Sequence, residues 1–131
     1  MIVDSSAIVA ILKREPDAPA LAAALASDPA PKMSAATYVE TSIVADRDRD
    51  AARGRLLDVI LRDANIEIVP FDETQARIAR GGYRDFGKGS GHKARLNLGD
   101  CFAYALAKAS GEALLYKGTD FGQTDVASAL S

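Results

Sequence analysis

Short apolar runs separated by amphipathic stretches constrain this chain more than any other feature of it. Ile2-Val3-Asp4, Lys32-Met33, Ile66-Glu67-Ile68-Val69 and Ala113-Leu114-Leu115-Tyr116 read as strands, the second of them minimal and the third the clearest. Helical patterns fill the intervals. Strands that alternate with helices build a parallel sheet covered on both faces. The expected fold class is therefore α/β. The 131 residues suffice for one domain and not for two, and no repeat or linker divides them, so residues 1–131 are expected to form a single domain.

The helices carry recognisable start signals. Ser5 or Ser6 is expected to cap a helix bearing Ile8, Val9, Ile11 and Leu12. Asp17 opens a second, to about Ser27, with Leu21 and Leu25 on one side. Ser34 caps a third that runs to about Asp46. Leu56, Leu57, Ile60 and Leu61 mark a fourth. Asp72 with Gln75 resembles a capping box for a helix over 73–85, and Asn97 with Asp100 another for a helix to about Ser110. Asp46-Arg47-Asp48-Arg49-Asp50 alternates in sign and reads as a solvated helix junction. Residues 87–95 read as a flexible basic loop, and the tail after Asp120 fits no element clearly.

Charge and cysteine content narrow the functional classes. The formal net charge is −2, so no global field draws the chain to nucleic acid, and any such contact needs a local basic patch. The single cysteine, Cys101, lies in an apolar stretch and reads as a buried small hydrophobe in a reducing compartment. The start lacks the basic segment and long apolar core of a signal peptide. The alanine-rich run at 18–26 contains Pro19 and is too short to span a bilayer. A cytoplasmic protein with no membrane association is expected.

Carboxylates stand where apolar residues belong. Asp4 ends an apolar strand, at the sheet edge where α/β proteins bind ligands; its alternative role is a helix cap. Glu40 has Ile43 and Val44 at +3 and +4, which places it on or beside an apolar helix face. An unpartnered buried carboxylate costs several kcal/mol, so it needs a cation, either an arginine or a metal. Asp100 opens a helix that is apolar almost throughout, and Asp120 lies just beyond the last strand. Converged at one sheet edge, these oxygen donors suit a hard ion such as Mg2+ or Mn2+. Zinc is disfavoured, because His92 is the only histidine and Cys101 is isolated. Serine or cysteine triad chemistry would need His92 as its base, and Gly87, Gly89 and Gly91 do not sit between a strand and a helix as a phosphate-binding loop requires.

These residues together resemble the VapC branch of the PIN-domain family. Met-Ile-Val-Asp-Ser-Ser-Ala at the start carries the likeness, with Glu40, the block Leu-Asn-Leu-Gly-Asp-Cys-Phe-Ala-Tyr-Ala-Leu-Ala at 96–107, Leu-Leu-Tyr-Lys-Gly-Thr-Asp-Phe at 114–121 and Thr124-Asp125. The likeness spans the chain in order and spacing. It implies a PIN-like three-layer α/β/α fold with a short central parallel sheet and an acidic pocket at its edge. It implies a Mg2+- or Mn2+-dependent endoribonuclease toxin that leaves a 5′-phosphate and a 3′-hydroxyl. Asp4, Glu40, Asp100 and Asp120 match the acidic quartet, Ser6 or Ser5 the small hydroxyl residue after the first acid, and Asp125 an acid often near the pocket. Thr119 stands where relatives often carry Asp or Asn, which bears on a second metal position. The resemblance also implies a cognate VapB-type antitoxin, an RNA substrate and a homodimer.

An acidic pocket repels RNA, so a basic surface must compensate. Arg77, Arg80, Arg84 and Lys88 recur at three and four residues along one helix face, and Lys93 and Arg95 follow. They read either as a phosphate-tracking strip or as a solvated face without a ligand. Lys117 is a further phosphate contact on the same reading. The competing functional class is a non-catalytic PIN-like binding or regulatory module. A phospho-acceptor receiver domain and a haloacid-dehalogenase-type phosphatase rank lower, because Ser5-Ser6 rather than further acids follow Asp4.

Overall fold

The computed structural model describes residues 1–47 and 51–130. In chain order they form β1 (Ile2–Val3), α1 (Ser5–Leu12), α2 (Ala18–Ala26), β2 (Lys32–Ser34), α3 (Ala35–Asp46), α4 (Ala51–Asp63), β3 (Glu67–Val69), α5 (Glu73–Phe86), α6 (Leu98–Ser110) and β4 (Leu114–Leu115). A 3-10 turn over Phe121–Gln123 follows. Arg47 is exposed beyond the end of α3; the rest of the alternating-charge run, 48–50, lies outside the described residues.

The four strands form one parallel sheet in the order β3-β2-β1-β4. Ile2 stands opposite both Lys32 and Leu114, and Val3 opposite Leu115. Side chains alternate across so short a sheet, and each face buries one of every pair. Ile2 and Leu114 turn to α5 and α6, where they meet Leu96, Cys101, Tyr104, Leu106 and Phe121. Val3, Met33 and Leu115 turn the other way, to Ile8, Leu12, Leu21, Leu25 and Leu57 on α1, α2 and α4. The result is the three-layer α/β/α arrangement the alternation dictated. Cys101 is buried, and burial together with the neighbouring Asp100 pushes its thiol up to about 11.

Chain order turns around at β1. The chain moves outward through β2 to β3, then crosses back to place β4 on the far side of β1. This is the topological switch point, where the loops leaving neighbouring strands part and open a crevice at the C-terminal edge. The loop after β1 begins with Asp4, and the loop after β4 leads to Asp120.

Two local expectations change. Ile66–Val69, the clearest strand in the sequence, yields β3, an edge strand with Ile68 38% exposed; apolar residues there reflect β-propensity more than burial. The basic loop over 87–95 is organised: Gly87 bridges Leu96, and the Lys88 amide donates to the Leu96 carbonyl at 2.9 Å. Ala94 and Leu96 are fully buried. His92 packs edge-on against Phe86 and accepts the Ala94 amide at Nδ1.

Candidate active site

Asp4 follows β1 directly with extended backbone angles, and its amide donates to the Leu115 carbonyl at 2.9 Å. That position makes Asp4 itself the cap of α1. Ser5 and Ser6, expected to cap, are already inside the helix, since a cap must keep extended backbone angles. Asp4 Oδ2 accepts the Ser6 amide at 3.0 Å and the Ser6 hydroxyl at 2.6 Å. Ser6 Oγ in turn accepts the Lys117 amide at 3.0 Å, so one hydroxyl joins the loops after β1 and β4. The other carboxylate oxygen, Oδ1, is buried without a partner. Burial pushes the Asp4 carboxyl up to about 7 against the opposing Ser6 bonds, and the charges of Asp100 and Glu40 push it the same way.

Glu40 lies on α3, whose buried face is Thr37, Thr41 and Ala45. Of the apolar neighbours expected beside Glu40, Ile43 is 57% exposed and Val44 half-buried, so Glu40 stands at the margin between the buried face and solvent. Polar Thr41 fits inside because its hydroxyl donates to the Thr37 carbonyl at 2.8 Å. Glu40 is half-buried, and its Oε1 has no partner. Its carboxylate lies against Gly99 at the start of α6: a β-carbon there would stand 1.7 Å from Glu40 Oε2.

Asp100 is held by the capping box its spacing predicted. It accepts the Asn97 amide at 3.0 Å, and its own amide donates to Asn97 Oδ1 at 2.8 Å. Burial raises its carboxyl, the Asn97 bond opposes that, and the charges of Asp120 and Glu40 add to the rise, with Lys88 opposing. Asp120 is exposed and makes no side-chain cap bond. The turn leading to it passes through Gly118 at φ +100°, a conformation glycine adopts without strain.

Asp4, Glu40, Asp100 and Asp120 therefore share one neighbourhood, each within the field of at least one other. Among the described residues no three His, Cys, Asp or Glu side chains draw close enough to enclose an ion directly. Mg2+ keeps several waters and takes one or two protein carboxylates, so open spacing suits it. The donors are all oxygens, and two buried ones, Asp4 Oδ1 and Glu40 Oε1, lack partners. A hard divalent cation fits this set.

The other singled-out residues divide. Asp125 accepts the Tyr104 hydroxyl at 2.9 Å and pairs with Lys108 at 3.0 Å, beside α6. Lys117 pairs with Glu15 at 2.7 Å and Asp17 at 3.4 Å, which directs its charge to acids of the protein. Arg77, Arg80, Arg84, Lys88, Lys93 and Arg95 are all exposed. Arg77 pairs with Glu73 and Arg84 with Asp85, while Lys88 stands near enough to Asp100 to oppose the rise of its carboxyl. Sequence reasoning missed Gly99; a glycine in a helical first turn beside an acid was the available signal.

Fold and site define a doubly wound α/β protein with acidic residues gathered about the switch point of a parallel sheet. The chain belongs to the PIN-domain family, in its VapC branch: the PIN domain family model matches residues 1–127. Ribonuclease VapC28 of Mycobacterium tuberculosis is 53% identical over 130 residues, 99% of this chain and 98% of that protein. A Ribonuclease VapC of Mycolicibacterium smegmatis is 52% identical over 97% of this chain and 98% of its own length. Among solved structures, M. tuberculosis VapC20, described as a sarcin-ricin loop cleaving toxin, superposes with a TM-score of 0.75 at 15% identity, over 95% of each chain. FitAcB from Neisseria gonorrhoeae superposes with a TM-score of 0.70 at 22% identity, over 97% of this chain and 94% of that one. At these identities the two structures speak for the fold. No helix among the described residues is long and apolar enough to cross a membrane.

Proposed function

We propose that this chain is a single-domain Mg2+- or Mn2+-dependent endoribonuclease, the toxin of a toxin–antitoxin pair. The observation that carries the reading is Asp4, fully buried at the switch point with one oxygen unpartnered and two further acids in its field. A carboxylate so placed has no structural use for its free oxygen. It is stable as an anion only beside a cation. Family membership and the names of the relatives supply the substrate class.

Asp4 and Asp100 would be the principal holders of the ion, with Glu40 and Asp120 completing the set. When bound, the ion would supply Lewis-acid neutralisation of the phosphate's charge. Ser6 fixes the rotamer of Asp4 through its 2.6 Å bond, and Asn97 fixes Asp100. Asp120, the exposed acid, faces solvent and orients the attacking water. Water adds to phosphorus and releases a proton to solvent as the bond to the 3′-oxygen breaks; that oxygen takes up a proton from solvent, leaving a 5′-phosphate and a 3′-hydroxyl. Lys88, beside Asp100, draws the phosphodiester towards the acids, and Arg80, Lys93 and Arg95 extend the track. An antitoxin that silences such a site would present a basic side chain to the same carboxylates, and a homodimer fits the family. The purified chain, freed of partners, is expected to cut total RNA into discrete fragments with Mg2+ or Mn2+ and to leave it intact with EDTA. Intact RNA in every condition would favour a non-catalytic binding module.

A further inference from the structure

We infer that Gly99 is a positioning residue for the acidic site, present to make room for the Glu40 carboxylate; the inference rests on the proposed reading of that site. Gly99 occupies the second helical position of α6, between Leu98 and Asp100. Its backbone is ordinary helix, with no positive φ that would call for glycine. Helix propensity argues against glycine there, because it loses more conformational freedom on folding than alanine does. What occupies the space of its absent side chain is the Glu40 carboxylate. A β-carbon on Gly99 would stand 1.7 Å from Oε2, 2.6 Å from Cδ and 3.0 Å from Oε1, so the whole carboxylate would have to move.

The other helical glycines meet neighbours outside the four acids, Gly54 among them, whose notional β-carbon would stand 2.6 Å from Oδ1 of the exposed Asp46. Gly81, also helical, has only Arg84 Nη2 near its notional β-carbon, at 3.7 Å. Gly82 makes room for the Tyr104 ring, which is core packing. Gly99 alone among the described helical glycines borders one of the four acids. The close approach also brings Glu40 to the start of α6, where the outward amides and the helix dipole favour negative charge. A carboxylate with one unpartnered buried oxygen is thereby held without a salt bridge to an arginine among the described residues, and left available. Gly99 thus acts through Glu40 and touches no substrate.

Gly99→Ala tests this. Turnover on RNA is expected to fall about 100-fold, the penalty typical of an ångström's misplacement, with KM changed by less than about threefold. Mn2+ binding, measured by calorimetry without RNA, is expected to weaken at least about fivefold. Adding Glu40→Asp, whose shorter side chain clears the new methyl, is expected to recover about tenfold of the turnover. Melting temperature supplies a reading independent of activity. Gly99→Ala is expected to raise Tm by a few degrees in a Glu40→Ala background, where only helix propensity acts, and not in the wild type. Equal Tm gains in both backgrounds, or wild-type Mn2+ affinity and turnover in Gly99→Ala, would overturn the inference. A wild-type chain that neither cleaves RNA nor binds Mn2+ would remove the proposed function, while the paired Tm values would still decide whether Gly99 accommodates Glu40.

Discussion

The Ser6 hydroxyl donates to Asp4 Oδ2 at 2.6 Å while accepting the Lys117 amide at 3.0 Å, so a single oxygen ties the acid that ends β1 to the loop that follows β4. These two loops flank the switch point of the sheet. The distance between the buried acid and the exposed one therefore depends on Ser6. The bond also consumes one of Asp4's two oxygens and leaves the other pointed at no protein group.

Ser6→Ala removes both links and leaves the Lys117 amide without its acceptor. A lost hydrogen bond to a charged group, with a donor left behind, costs about 2 kcal/mol. Turnover on RNA is expected to fall by about tenfold, with KM little changed, because Asp4 keeps the bond from the residue-6 amide but loses the hydroxyl bond that ties it to the loop after β4. Chemical denaturation and steady-state kinetics on the same preparation read both effects.

Asp4 also sets a pH dependence. Its carboxyl is held at about 7 in the folded chain against a reference of 3.8, with burial as the main cause. Folding therefore retains a proton over that interval. The stabilising contribution is complete below the reference value and is lost as pH rises through about 7. Metal-free protein in EDTA is expected to lose on the order of a few kcal/mol from this group between about pH 4 and pH 7.5. Asp4→Asn lacks the ionisation, so its stability is expected to exceed that of the wild type at about pH 7.5 and to approach it towards about pH 4. Urea melts across this range, compared between the two proteins, measure the difference.

The basic strip divides by what already neutralises each charge. Arg77 and Arg84 face Glu73 and Asp85, whereas Lys88 stands beside Asp100. RNA binding by the inactive Asp4→Asn protein is expected to weaken about fivefold or more in Lys88→Ala. The slope of log affinity against log salt is expected to fall by about one. Arg84→Ala is expected to change affinity less, since an ion pair must break before Arg84 serves a phosphate. Fluorescence anisotropy at several salt concentrations separates the two.

Much of this was legible in the sequence, for identifiable reasons. The caps at Ser34, Asp72 and Asn97 read correctly because side-chain capping is local chemistry, fixed within three residues, although the box expected at Asp72 forms only by half: Gln75 Nε2 donates to the Pro70 carbonyl and Gln75 Oε1 has no partner. The sheet class followed from alternation alone. Asp4 was recognisable as an anomaly, but its capping role was assigned to its serine neighbours, since where a strand stops depends on the Leu115 carbonyl of a distant strand. On α3 the exposure of Ile43 was not legible, because packing against α1, α4 and α6 buries Thr37 and Thr41 instead, against hydropathy. Lys117 read as a phosphate contact because Glu15 and Asp17 are about a hundred residues away in sequence and meet it only in the fold. Gly99 was hidden for the same reason: its constraint comes from the tip of Glu40 on another helix.

The most direct test of the account is the rate at which Asp4→Asn cleaves RNA beside the wild type, both folded and both with saturating Mn2+. The account predicts a loss of at least about 100-fold, since the variant keeps the buried shape but lacks the anion. In EDTA at about pH 7.5 the same variant is expected to melt no lower than the wild type. Cleavage by Asp4→Asn at the wild-type rate would contradict the assignment of the switch-point acids to catalysis.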